Sequence, residues 1–451
     1  MTKRVRFAPS PTGFLHIGNA RAAVLNWLFA QKYDAEYMLR LDDTDHERST
    51  KEFADQISKD LAWLGIKPHS FAKQSDRLDR YNEAIEFLKA QGHLYPCYET
   101  PDELDFKRKR QLARGEPPIY DRAALALSDA EKVTLEAKGI MPHWRFKLVD
   151  EDVSWEDGIR GKVLFQGRNM SDPVLIKTDG QPVYTLASVV DDIDFQMTDI
   201  IRGEDHVTNS AVQLQIFMAL GGNPASIRLS HFSLITNATG QGFSKREGSL
   251  SLKTLAEDGL DSMTIVSLIA RLGTSTQIYP THNMRELIDE FDLDHFSRSS
   301  PKFDPNDLIK LNQTLLHHMP YDVAQGRMSP SQLERMSVQL WQVIQGNISK
   351  ISEVEEWADI VQNGPKSIQG TMDKTVIQKA LECYPSEKMF DEQTWTRWTA
   401  AISEALGIKG KSLYLPLRLA LTGAEHGPQM QLLLPIIGTD SVRKRLEDTL
   451  V

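Results

Sequence analysis

The sequence predicts an α/β fold in which a parallel sheet is split by an α+β insertion and followed by an all-helical region. Three observations carry this. Residues 4–41 read strand, helix, strand, and strand-type runs return near residue 200 after a long stretch of different pattern. Beyond about residue 250 strand signals fade, and helical periods punctuated by Pro301, Pro305, Pro320, Pro330 and Pro385 continue to Val451.

Each element follows from local chemistry. Arg4 to Ala8 reads as a short strand entering a turn fixed by Pro9, Pro11 and Gly13. Residues 19–32 are apolar almost all round, as expected of a helix packed on a sheet. Tyr37 to Leu41 reads as a buried strand ending at Asp42-Asp43-Thr44-Asp45. A strand, helix and strand at this spacing imply a parallel, right-handed crossover with ligands at the carboxyl ends of the strands. From Tyr95 to about Pro182 the pattern changes. A charged helix (Asp102–Arg114) and Pro117-Pro118 precede short strands at Trp144–Leu148, Val174–Lys177 and Val183–Leu186, the last two flanking an Asp179-Gly180 hairpin turn. The sheet resumes near Ile200-Ile201-Arg202, with a helix over Thr208–Leu220 and a strand over Ser230–Ile235. The expected divisions are a split sheet domain (1–85 and 187–240), an insertion (86–186), a third segment (241–320) and a helical region (321–451).

Composition bounds the function. A chain of 451 residues, 41% hydrophobic and 25% charged, describes a globular protein of several domains. A formal charge of −10 excludes a uniformly basic coat for nucleic acid, but not a local basic track. The two cysteines, Cys97 and Cys383, cannot supply a disulfide framework or a CxxC metal site, and fit a reducing compartment. No apolar leader follows Met1-Thr2-Lys3-Arg4 and no run is apolar enough to span a bilayer, so a cytoplasmic location without membrane contact is expected.

The chemistry concentrates in residues 7–21. His16 and Gly18 fall where a helix begins, and the unpaired N–H groups and positive dipole end there suit phosphate. Gly18 removes a side chain that would block a nucleotide base, and His16 supplies a donor beside the phosphates. Far along the chain, Gly240-Gln241-Gly242 precedes Phe243-Ser244-Lys245-Arg246-Glu247, a glycine-flanked loop carrying two cations.

Together with Arg6-Phe7-Ala8-Pro9-Ser10-Pro11-Thr12-Gly13, these motifs resemble the bacterial glutamyl-tRNA synthetases, a class I family, over nearly the whole chain. His16-Ile17-Gly18-Asn19 resembles the family's "HIGH" element and Phe243–Glu247 its "KMSKS" element. The resemblance implies a Rossmann-type catalytic sheet, an insertion that grips the tRNA acceptor end, and a helical anticodon-binding region. It implies ligation of L-glutamate to tRNA(Glu) through a glutamyl-adenylate, with ATP and its accompanying Mg²⁺; an enzyme that also charges tRNA(Gln) is the alternative. Such a transfer asks mainly for alignment and for neutralisation of phosphate charge. His16 and Lys245 are the implied catalytic residues, and Pro9, Gly18, Asn19, Asp205, Ser244 and Arg246 join them at ATP. Arg6, Ala8, Ser10, Asp42, Tyr184, Ser188, Arg202 and His206 are implied at glutamate, where guanidinium groups suit carboxylates.

Departures from the family pattern are visible. Asn19 replaces the second histidine of "HIGH", Gly242 the first lysine of "KMSKS", Asp42 a frequent glutamate, and His206 an aromatic. The cysteine and histidine ligands with which some relatives bind zinc are missing around Cys97-Tyr98-Glu99 and Tyr120-Asp121, so no zinc is expected. Lys107, Arg108, Lys109 and Arg110 are candidates for acceptor-end phosphates, and Lys409, Lys411 and Arg418 for the anticodon. Trp395 and Trp398 are read as core, and the protein as a monomer. Among sister families, the glutaminyl enzymes usually carry a β-barrel anticodon module, against which the helical rear speaks. A tRNA-modifying relative lacks an anticodon domain, and a catalytically silent tRNA-binding paralogue would not need His16, Gly18, Lys245 and Arg6.

Overall fold

The computed structural model describes residues 2–45, 47–237, 239–241, 251–367 and 372–450. They form two compact units. One comprises Met1–Leu255, Ile265–Tyr279 and Asn283–Asp304, the other Ala256–Thr264, Pro280–His282 and Pro305–Val451.

In the first unit, β1 (Arg4–Phe7), α1 (Ile17–Tyr33), β2 (Glu36–Leu41), α2 (Lys51–Trp63) and β3 (Ser70–Lys73) build a parallel sheet in the order β1-β2-β3. Helix α1 buries Val24, Leu25 and Leu28 completely, which is why its sequence is apolar on nearly every side. Helix α3 (Leu78–Ala90) leads into the insertion: β4 (Leu94–Cys97), α4 (Pro101–Ala113), α5 (Asp129–Ala137), β5 (His143–Phe146), β6 (Val153–Asp157), β7 (Gly161–Phe165) and β8 (Val174–Ile176). Its strands pair antiparallel, as a β4-β5-β8 sheet and a separate β6-β7 hairpin. Helix α6 (Tyr184–Asp194) returns the chain to the parallel sheet, where β9 (Asp199–Gly203), α7 (Val207–Ala219) and β10 (Arg228–Phe232) follow. The two sheet pieces meet where the Thr198 N–H donates to the Arg4 carbonyl at 3.0 Å and the Arg4 N–H to Thr198 Oγ1 at 2.8 Å. The split parallel sheet with an α+β insertion is thus present.

One predicted strand is a helix. Val183–Leu186 was expected to return antiparallel to Val174–Lys177, but the return consists of Pro182 bridging Ile176 and the Val183 N–H bonding to the Leu175 carbonyl. Tyr184 then opens α6. Four residues rich in β-formers suggested a strand, but burial of Leu186, Ala187, Val189 and Val190 on one helical face decides the conformation.

The second unit is helical, with ten helices among its described residues from Pro305–His317 to Thr439–Leu450. Trp341 and Trp398 lie at its core, their indole N–H groups donating to the carbonyls of Met319 and Ala380 at 3.0 Å each. Trp395 is buried beside Trp398, so both read-as-core tryptophans are core. Arg445 spans this interior, donating to the carbonyls of Leu421 and Val361. Among the described residues no helix is long and apolar enough to cross a membrane.

Candidate active site

The carboxyl ends of β1, β2 and β9 gather the predicted residues at one edge of the parallel sheet, where such folds bind ligands. At the phosphate end, His16 is the N-cap of α1. Its Nδ1 accepts from the N–H groups of Gly18 (3.1 Å) and Asn19 (3.4 Å). An accepting Nδ1 leaves the ring proton on Nε2, so neutral His16 presents a donor there. Gly18 has a further reason to be glycine: a Cβ would meet the His16 ring, 2.9 Å from Cε1 and 3.0 Å from Nδ1. Gly18, Asn19 and Ser10 are exposed, Ala8 is half-buried, and Pro9 is buried with its carbonyl accepting from the Asp42 N–H at 3.0 Å. Asp205 is exposed in the turn after β9. Ser244, Lys245 and Arg246 lie outside the described residues, but Ser251, a few residues on, forms an antiparallel bridge with His16.

Beside this lies a buried network of charge. Arg6 donates twice to Asp192, at 3.1 and 3.3 Å. Arg40 donates to both oxygens of Asp42 (2.7 and 3.2 Å), to Asp192 (3.0 Å) and to Ser188 (2.9 Å). Asp191, wholly buried, accepts from Arg77, Gln74 and Tyr81. Burial pushes the Asp42 carboxyl up, to about 6, against the pull of Arg40. Asp192 goes the other way: burial is outweighed by Arg6 and Arg40, which hold it below the ordinary carboxylate range. Tyr184, Ser188 and Asp192 recur at every fourth position of α6 and so share one face. Sequence reasoning missed Arg40, Asp191 and Asp192. The available signal was an Asp-Asp pair inside the apolar run Val189-Val190-Asp191-Asp192-Ile193.

Arg202 differs from the other two arginines. It is buried, yet among the described residues no carboxylate lies within ion-pair distance. Its NH2 group donates to Ser210 Oγ (2.5 Å) and Gln213 Oε1 (2.6 Å), while NH1 has no hydrogen-bond partner among the described residues. It adjoins a small cavity walled by Val189, Ile200, Leu214, Phe217 and Leu229. Burial lowers its affinity for a proton, and nearby Tyr184 partly offsets this. His206, its ring 6.2 Å from that of Tyr184, is pushed down to about 4 by burial and by Arg202, so it is neutral at pH 7.

The basic candidates separate into two kinds. Lys107 is held by Glu99 (3.2 Å) and Asp121 (3.1 Å), and Lys109 by Asp105 (2.6 Å). Arg108 and Arg110 are exposed on α4, as are Lys409 and Lys411 in the helical unit. Arg418 is half-buried and donates to the Pro428 carbonyl at 2.9 Å, so it holds the chain locally. Around Cys97 the Tyr120 hydroxyl donates to Glu99 at 2.8 Å and lies 3.6 Å from Sγ, and the Lys107 ammonium meets the same Glu99 oxygen at 3.2 Å.

Comparison with known proteins shows the family. The profile for the class I tRNA synthetases (E and Q), catalytic domain, matches residues 2–310, and an anticodon-binding domain matches residues 310–450. The glutamate–tRNA ligase of Azospirillum brasilense is 48% identical over 447 residues, 99% of each chain, and one from Maricaulis maris is equally similar over the same span. The crystal structure of a glutamate tRNA ligase from Elizabethkingia meningosepticum, in complex with its amino acid, superposes with a TM-score of 0.83. It is 25% identical and covers 100% of this chain and 99% of its own. The chain therefore belongs to the glutamate–tRNA ligase family of class I tRNA synthetases.

Proposed function

We propose that the protein attaches L-glutamate to the 3′ end of tRNA(Glu) in two steps, with a glutamyl-adenylate between them. The observation that carries this reading is Arg202. A guanidinium buried with no carboxylate within ion-pair distance among the described residues is costly, and a substrate carboxylate at its unpartnered NH1 group supplies that ion pair. Arg6, Ala8, Ser10, Tyr184, Ser188 and His206 complete the glutamate pocket, with Asp42 facing the ammonium.

In the first step a glutamate carboxylate oxygen attacks the α-phosphorus of ATP, and pyrophosphate leaves. His16 Nε2–H and Lys245 would donate to the triphosphate, with Pro9, Gly18, Asn19, Asp205, Ser244 and Arg246 around the nucleotide. Among the described residues no group of three metal ligands gathers, and the phosphates themselves offer Mg²⁺ its oxygens. The insertion would hold the acceptor end through residues such as Arg108 and Arg110, and the helical unit the anticodon through Lys409 and Lys411.

Purified tRNA(Glu) and tRNA(Gln), offered side by side with labelled glutamate and ATP, test the reading. Glutamate on tRNA(Glu) is the expected product, and the tRNA(Gln) lane decides between one acceptor and two. Failure to charge either tRNA would overturn it.

A further inference from the structure

We propose that His231, anchored by Asp157 of the insertion, is a positioning residue that aims Arg202 at the glutamate carboxylate, an inference that rests on the reading of Arg202 given above. His231 on β10 lies in register with Arg202 on the adjacent β9. It is fully buried, its Nδ1 is 2.5 Å from Asp157 Oδ2, and its backbone N–H donates to Asp157 Oδ1 at 3.0 Å. Asp157 also accepts from the indole of Trp155 and the backbone N–H groups of Ile159 and Arg160. Five donors fix this carboxylate, and an acceptor so fixed holds the imidazole proton on Nδ1.

Nε2 is then an acceptor. It lies 2.8 Å from Ser210 Oγ and 3.5 Å from Arg202 Nε, while Ser210 Oγ is also 2.5 Å from Arg202 NH2. One edge of the guanidinium is thus held by Ser210, Gln213 and the imidazole, and NH1 is left for a ligand. The choice of an imidazole matters. A carboxylate at position 231 would pair with Arg202 and neutralise it, whereas a neutral ring orients the guanidinium and leaves its charge for substrate. Burial and the nearby Arg202 indeed hold His231 below the usual histidine range. The anchor belongs to the β6-β7 hairpin, which is also fastened by Gly158 N–H to the Leu229 carbonyl and by Arg160 to Glu204. The aim of the arginine therefore depends on the insertion as well as on the sheet.

The full-length protein with tRNA present carries the test, read as KM and kcat for glutamate in ATP–pyrophosphate exchange. His231→Asn keeps an amide near Nδ1 and withdraws the acceptor from Ser210. It is expected to raise the glutamate KM about tenfold, with kcat and the ATP KM within about twofold of wild type. His231→Gln, whose amide reaches the Nε2 position, should recover most of the loss. Arg202→Ala raises the glutamate KM by itself, and adding His231→Asn to it should cause no further rise, because the ring acts through the guanidinium. If His231→Asn unfolds below the assay temperature, Ser210→Ala takes its place with the same expected rise and the same non-additivity. Additive effects, or a glutamate KM unmoved by the ring and hydroxyl variants, would overturn the positioning role. A wild-type KM in Arg202→Ala would instead overturn the reading of Arg202 as a substrate contact.

Discussion

At Gly18 and Asp42 the observed structure and the proposed chemistry meet in a single position. Gly18→Ala places a Cβ against the His16 ring, so the imidazole must leave its capping position or the helix start must shift. A lost cap costs about 1 kcal/mol, and the same movement would take the Nε2 donor from the proposed phosphate site. Thermal melting should therefore fall modestly while pyrophosphate exchange falls much further. An exchange rate at wild-type level would show that the ring is not needed where it sits. Asp42 makes a pH prediction. Its carboxyl, pushed up to about 6 by burial, takes a proton below that pH and can no longer face an ammonium. The value of kcat/KM for glutamate should fall as pH drops through 6 in the wild type, since this ratio reports the free enzyme, and that limb should vanish in Asp42→Asn. Stability moves oppositely for this group: the folded state holds the proton more tightly than the unfolded chain, so its contribution declines as pH rises from about 4 through 6. Residue types at this site were largely legible, because Arg6, His16, Gly18 and Arg202 sit in short motifs. Their partners were not. Asp192 meets Arg6 and Arg40 only after the insertion has been folded back, and spacing along the chain carries no trace of that closure.

Helix α4 separates two roles that its sequence blends. Lys107-Arg108-Lys109-Arg110 reads as one basic run, but a turn of 3.6 residues sends successive side chains in different directions. Lys107 lies among Glu99, Asp121 and the ring of Tyr120, and its charge is used within the insertion. Arg108 and Arg110 face solvent. Lys107→Met should lower the melting temperature slightly, since a partly exposed pair contributes about 1 kcal/mol or less, and leave the salt dependence of tRNA binding unchanged. Arg108→Ala and Arg110→Ala should do the reverse, each reducing the slope of log K against log salt by about one unit. Titration of tRNA binding at several salt concentrations, beside a melting curve, distinguishes the two kinds. A steep slope retained in both arginine variants would place the acceptor end elsewhere. The same limit of a short window explains Val183–Leu186: four residues contain β-formers, while the eleven of α6 contain a buried helical face.

At the scale of the molecule, strand and helix order along the first unit was legible because each element satisfies its own periodicity. That the sheet resumes after the insertion was legible too, but the particular contact that joins its two pieces, at Arg4 and Thr198, was not, since it depends on long-range contact. That closure bears on regulation. The insertion touches the pocket at two places: Val183 bonds to β8 immediately before Tyr184 opens α6, and the β6-β7 hairpin bonds to β10 and to Glu204 beside Arg202. An acceptor end held by the insertion would act on the pocket walls through these bonds, and a small shift there changes the alignment of carboxylate and α-phosphorus, to which transfer rates are sensitive. Glutamate-dependent ATP–pyrophosphate exchange should therefore be slow in the protein alone and rise by at least tenfold when tRNA(Glu) is added, a preference of about 1.4 kcal/mol or more for the aligned state. The addition should act on exchange even when the 3′ end is oxidised and cannot accept glutamate, because docking rather than transfer supplies the alignment. Exchange at full rate without tRNA would mean that the pocket is already aligned, and that the bonds between insertion and sheet serve the fold alone.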